Sequence, residues 1–139
     1  MMMKTIHTYT INGQPRPMPR PRIARSGRAY MPKKFMDDIE RMRIQLRAQR
    51  QMDPELGPVK LTARFFFRRP KSMKTKRYPP EAIEKANRPD LDNCFKTIAD
   101  AANKILYADD CQIQAFTAAK FYCAIGSEPH TILTIETWR

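Results

Sequence analysis

Val59-Lys60-Leu61-Thr62-Ala63-Arg64-Phe65-Phe66-Phe67 is the stretch on which the fold turns. Val59, Leu61, Ala63, Phe65 and Phe67 fall at alternate positions, with Lys60, Thr62 and Arg64 between them, the period of a strand that buries one face. Alternation assigns Phe65 and Phe67 to the core and leaves Phe66 as the one aromatic of the trio free to stack on a base, although packing or a subunit interface is the plainer use. Asp53-Pro54 and Gly57-Pro58 break the chain ahead of this strand.

Upstream, Phe35, Ile39, Met42 and Leu46 recur at helical spacing from Pro32, while Asp37, Asp38, Arg41, Arg43 and Arg47 take the other faces, predicting an amphipathic helix ending near Met52. Ahead of it lies Gln14-Pro15-Arg16-Pro17-Met18-Pro19-Arg20-Pro21-Arg22, whose prolines forbid helix and interrupt ladder pairing. This predicts an extended basic loop over about residues 14–34. Residues 4–12 alternate weakly into Asn12-Gly13 and predict a first strand. Downstream, residues 69–89 are rich in Lys, Arg and Pro and predict a mobile basic connection, interrupted by a helical turn at Glu81-Ala82-Ile83-Glu84-Lys85. Leu91, Phe95, Ile98, Ala102 and Ile105 then mark a second helix to about Leu106, with Asp90 placed to cap its free amides. Residues 112–123 and 131–138 predict two closing strands, joined through Gly126-Ser127-Glu128-Pro129 as a hairpin. His130 reads as a residue of that hairpin rather than a ligand, and Trp138 as packing. The order is β-α-β-α-β-β. That is an α/β (α+β) fold in which a small mixed sheet is flanked by two main helices, in a chain of 139 residues sized for one domain.

Composition narrows the partner. With 26 Lys and Arg against 14 Asp and Glu, the formal charge of +12 suits a polyanion, nucleic acid first. No apolar run approaches the 18 or so residues of a membrane span, and no basic amphipathic helix carries an aromatic anchor row. The opening Met1-Met2-Met3-Lys4-Thr5 leads into alternating polar residues without the apolar run of a signal peptide, so a cytoplasmic protein without membrane or small-molecule cofactor is expected. Cys94, Cys111 and Cys123 lack CxxC spacing and read as buried small apolar residues. His7 and His130 offer too little for histidine-based catalysis, which leaves carboxylates and lysine.

Arg88-Pro89-Asp90-Leu91-Asp92-Asn93 and, one helix later, Tyr107-Ala108-Asp109-Asp110-Cys111-Gln112 concentrate acid in a basic protein. Two carboxylates about 4 Å apart repel by roughly 4 kcal/mol at an effective dielectric near 20, so they need separation or a cation. An oxygen-only donor set favours Mg²⁺, or Mn²⁺, over zinc. Asp92, Lys96 and Asp100 follow one another at four-residue steps, which puts acid, base and acid on one helical stripe. A metal and a cation so placed suit phosphodiester hydrolysis, which needs an activated water and compensation of charge on the phosphate and leaving oxygens. The plainer alternatives are a helix cap with its dipole partner for Asp-Leu-Asp, a solvated turn for Asp-Asp and an exposed ion pair for Lys96.

The ordered set Arg88-Pro89-Asp90-Leu91-Asp92-Asn93, Lys96, Asp100 and Tyr107-x-Asp109-Asp110-x-Gln112 resembles the RusA-like Holliday junction resolvases. The Pro-Arg-Pro-Arg stretch ending at Arg22, Gly27-Arg28-Ala29-Tyr30-Met31-Pro32-Lys33-Lys34 and Arg68-Arg69-Pro70-Lys71-Ser72 extend the resemblance over nearly the whole chain. It implies a homodimer, intertwined or sheet-packed, that binds branched DNA at four-way junctions and nicks opposing strands symmetrically with Mg²⁺ in recombination and repair. It implies metal-binding catalytic roles for Asp90, Asp92 and Asp110 and a catalytic role for Lys96; Asp100 and Asp109 are not assigned. It also allows a phage or prophage origin. Phosphate contacts are expected from Arg16, Arg20, Arg22, Arg25, Arg28, Lys33 and Lys34 in the first basic loop and from Arg69, Lys71, Lys74, Lys76 and Arg77 in the second. The competing functions are a noncatalytic nucleic-acid-binding module and a nuclease of flaps or other branched DNA.

Overall fold

The computed structural model of the protein describes residues 2–139, so Met1 of the leader reading lies outside it. Strands β1 (Lys4–Asn12), β4 (Val59–Phe67), β6 (Ile113–Tyr122) and β7 (His130–Trp138) carry the main sheet, with short β5 (Ile83–Glu84) at one edge. The spatial order is β1-β7-β4-β6-β5; β4 and β6 run parallel and the other neighbours antiparallel. Helices α1 (Lys33–Gln49) and α2 (Leu91–Ala102) pack on each other and on the sheet, α1 against β1 and α2 against β6. The expected α+β class and order of main elements are both present.

The core forms because the alternating apolar sets of the sheet meet the apolar stripes of both helices. Tyr9, Ile11, Leu61, Ala63, Phe65, Leu133 and Ile135 are buried together with Phe35, Ile39 and Leu46 of α1 and Phe95, Ile98 and Ala102 of α2. At roughly 25 cal/mol for each Å² of apolar surface removed from water, each large side chain there stabilises the fold by about 2 kcal/mol. The other face of the sheet is open. On it Phe66 stacks against Phe121 and His130, at 5.2 and 4.5 Å between centroids, and Trp138 is half-buried.

Several expectations change. The last two strands are not a hairpin, because β4 lies between β6 and β7 and the intervening loop crosses the end of β4. There the Cys123 N–H donates to Phe67 O. The turn residues mark a reversal of direction, but β4, buried along its alternate positions, takes the central place. The segment Glu81–Lys85 is not a helical turn: Ile83 and Glu84 pair with Tyr122 and Phe121, and the Lys85 N–H continues the ladder to Lys120 O. Within the first basic loop, β2 (Arg22–Ile23) and β3 (Ala29–Tyr30) form a small ribbon closed near Gly27, whose φ of 85° suits a residue without Cβ. Both helices also end earlier than expected, α2 because Asn103 turns extended and Lys104 takes a φ of 69°.

The second basic connection contains a 3-10 turn at Lys71–Met73 and, ahead of it, Arg69. The Arg69 side chain is buried and donates to the carbonyls of Met73, Pro79, Pro80, Glu81 and Cys123. Its guanidinium, expected from sequence at a phosphate, is here turned inward and braces this loop. Cys94 and Cys123 are buried as expected, but Cys111 is exposed because its 3-10 turn stands outside the core.

Candidate active site

Helix α2 has two unlike faces. Cys94, Phe95, Thr97, Ile98, Ala99, Ala101 and Ala102 are buried, whereas Asp92, Lys96 and Asp100 stand exposed on one stripe at four-residue steps. Asp90 holds the N-cap position, but its side chain makes no capping bond; the Asn93 N–H donates instead to Asp92 Oδ1 at 2.9 Å. Asp90 therefore keeps its carboxylate oxygens facing solvent beside the positive end of the helix dipole.

Asp110 reaches the neighbourhood of α2 through a braced loop. After α2, the Lys104 N–H donates to Tyr107 O at 2.8 Å, and the buried Tyr107 hydroxyl donates to Ala99 O at 2.6 Å. Burial, reinforced by Asp110 and Asp100, pushes the Tyr107 phenol well above its ordinary value, so it stays a donor. Asp109 caps the 3-10 turn Asp110–Gln112 in a reciprocal capping box with Gln112. The Gln112 amide also donates to Glu55 O and Gly57 O, at 2.7 and 2.8 Å. The motif's Gln112 and Tyr107 thus set the loop, while Asp110 is left exposed. A hydrogen bond with the Cys111 thiol comes first among the causes that hold Asp109 below the usual carboxylate range.

Lys96, Asp100 and Asp110 line one depression of about 430 Å³, with Met18, Phe95 and Phe116. Asp90 lines the adjoining depression of about 370 Å³ with Arg20, Arg88 and Asn93; Met18 borders both, and Asp92 lines neither. The expected trio Asp90, Asp92 and Asp110 is therefore divided between neighbouring surfaces, and Asp100, unassigned from sequence, shares the depression of Asp110. Among the described residues no three His, Cys, Asp or Glu side chains are gathered closely enough to hold a metal ion. The donor chemistry still suits a hard cation. Magnesium commonly uses one or two carboxylates and completes its shell with water and substrate phosphate oxygens. The buried Cys94 thiol beneath Asp90 and Asp92 is no competing soft ligand, since burial pushes it up to about 11 and keeps it protonated.

Several contributors act across long sequence separations and carry no local signature. Arg43 of α1 donates to Asp100 O, Ala101 O and Asn103 O, at 3.0 to 3.3 Å, supplying the cation that the last turn of α2 lacks. Lys120 of β6 donates to Asn87 O and Pro89 O, holding the bend that leads into Asp90. Glu55 accepts from the Leu56 and Gly57 N–H groups and from Arg139. The proline-arginine arm is pinned over the first turn of α2 by the Met18 N–H, which donates to Asn93 O at 3.0 Å.

Arg20, Arg22, Arg25, Arg28, Lys33, Lys34, Lys71, Lys74, Lys76 and Arg77 are all exposed. Arg16 is partly engaged, its Nε 3.2 Å from an Asp38 carboxylate oxygen. Among the described residues no helix is long and apolar enough to cross a membrane.

Residues 12–136 match the family described as endodeoxyribonuclease RusA. The chain is also 30% identical over 137 residues to the uncharacterized protein YqaN of Bacillus subtilis (strain 168), covering 92% of this chain and 94% of that protein.

Proposed function

The chain belongs to the RusA family of endodeoxyribonucleases, and from that premise we propose that it resolves four-way Holliday junctions by paired symmetric nicks with a divalent metal ion, Mg²⁺ first. The observation that supports this best is the shared depression of Lys96, Asp100 and Asp110, a cation and a carboxylate of α2 facing the carboxylate of the following 3-10 turn, beside a basic arm. Asp90 and Asp110, from the two adjoining hollows, and Asp92 in the first turn of α2 would supply carboxylates to the metal ion, with water and substrate phosphate oxygens completing its shell. When bound, that ion supplies a more acidic water and compensation for phosphate charge. Lys96 orients the scissile phosphate and offsets charge on its non-bridging oxygens. The exposed arginines and lysines of the two basic loops hold neighbouring phosphates, which fixes register without reading bases.

A second copy of the chain completes the enzyme. One acidic site per chain cuts one strand, and a two-fold homodimer presents two such sites to a junction of matching symmetry. Recombination and repair are the settings in which that substrate arises. Competition among a labelled four-way junction, a flap and a linear duplex tests the assignment: preferential cutting of the junction supports it. Equal cutting of the flap reassigns the substrate, and binding without cutting in Mg²⁺ leaves a nucleic-acid-binding module.

A further inference from the structure

The proline-arginine arm separates more than one hollow. Past Pro17, Arg88 and Pro89, which border the depression of Asp90, the surface continues into another of about 400 Å³. Arg16, Arg68, Lys85 and Arg88 line it, and no acidic side chain does. Lys85 is fixed at its inner wall: its Nζ lies 4.7 Å from the centroid of the Tyr122 ring and 5.3 Å from that of Phe67. The ammonium donates to Asn87 Oδ1 and lies 3.5 Å from the Tyr122 hydroxyl. Among the described residues Lys85, Arg68 and Arg88 make no ion pair, and Arg16 shares only its Nε with Asp38.

Four cations directed at one hollow repel one another unless an anion joins them. A lysine held over two aromatic rings has already given up much of its rotamer freedom, so capturing that anion costs less ordering entropy. Phe67 is buried and the ammonium occupies the side of the Tyr122 ring nearest to it, so the hollow suits a phosphate better than a stacked nucleobase. Its continuity with the hollow of Asp90 supplies the phosphate's source. We infer that Lys85, with Arg68 and Arg88, seats a backbone phosphate of the DNA strand that runs into the acidic site.

The inference rests on the nuclease reading and is tested apart from it. Metal-free binding is measured for the full-length protein, Lys85→Met and Arg68→Ala, using a four-way junction and versions with one neutral methylphosphonate at successive positions of the cut strand. Each variant should bind the unmodified junction about tenfold or more weakly. The slope of log affinity against log salt should shrink by about 0.7 to 0.9. One methylphosphonate position away from the scissile phosphate should weaken the native protein similarly yet leave Lys85→Met no weaker than before. If the variants bind like the native protein, or every position weakens native and variant alike, the phosphate seat is wrong. The nuclease reading then still stands if the native protein cuts the junction in Mg²⁺. A native protein that binds no DNA overturns both.

Discussion

Asp110 and Lys96 line the same hollow from different elements, one on a 3-10 turn and the other on α2, and both are exposed. Side chains placed there have little packing to lose, so Asp110→Asn and Lys96→Ala should fold normally and bind junction DNA, while the cleavage rate falls by about a hundredfold or more in single-turnover assays. Unchanged rates would make these groups an ordinary turn acid and surface lysine. Glu55 behaves differently. Burial pushes its carboxyl up, but hydrogen bonds from Gly57 and Leu56 and the Arg139 guanidinium outweigh it and hold Glu55 below its ordinary 4.5. A carboxyl lowered on folding stabilises fully above its unfolded value and loses that contribution as pH falls through the folded one. The native protein should therefore exceed Glu55→Gln in urea stability at neutral pH, with the gap closing below about pH 4.5; a gap independent of pH would assign the effect to the neutral hydrogen bonds. The candidate acids Asp90, Asp92 and Asp110 stood out in the sequence because they form short local patterns. Glu55 did not, because its partners include Arg139, 84 positions away.

At the scale of elements, Arg43 ties α1 to the end of α2, where Asp100 and the loop toward Asp110 begin. Arg43→Ala should cost roughly 2 kcal/mol in urea unfolding, the range for hydrogen bonds from a charged donor. It should also slow cleavage more than it weakens DNA binding, because it displaces Asp100 without touching a phosphate; equal losses in both would place Arg43 in the DNA grip. The two helices and β4 were readable from periodicity, since Leu61, Phe65, Phe35 and Ile98 repeat at the spacing of their own element, whereas β1 alternated weakly and β6 and β7 stood out only as β-favouring segments. Pairing was not readable. Gly126-Ser127-Glu128-Pro129 signals a reversal and says nothing of the strand inserted between β6 and β7. Arg69 shows the same limit, since in sequence it is one more cation of a basic run, and only the fold turns it inward onto carbonyls.

Over the whole molecule, a formal charge of +12 is distributed so that its exposed loops flank the acidic hollows. Counterion release makes such a surface strongly salt-dependent. With six or more phosphates engaged, affinity for a junction should fall on the order of a thousandfold between 50 and 200 mM salt, as read by fluorescence anisotropy. A shallow dependence would deny these loops the DNA. Net charge made nucleic acid the expected partner from sequence, but the division of the carboxylates between adjoining hollows depends on how α2, the proline-arginine arm and the Asp110 turn meet, which no local pattern encodes. The most direct test of the central claim is cleavage of a labelled four-way junction beside a linear duplex, in Mg²⁺ and in EDTA, by the native protein and by Asp92→Asn. Symmetric nicks confined to the junction, absent in EDTA and lost in Asp92→Asn while binding persists, are the expected result; tight junction binding by the native protein with no nick in Mg²⁺ would contradict it.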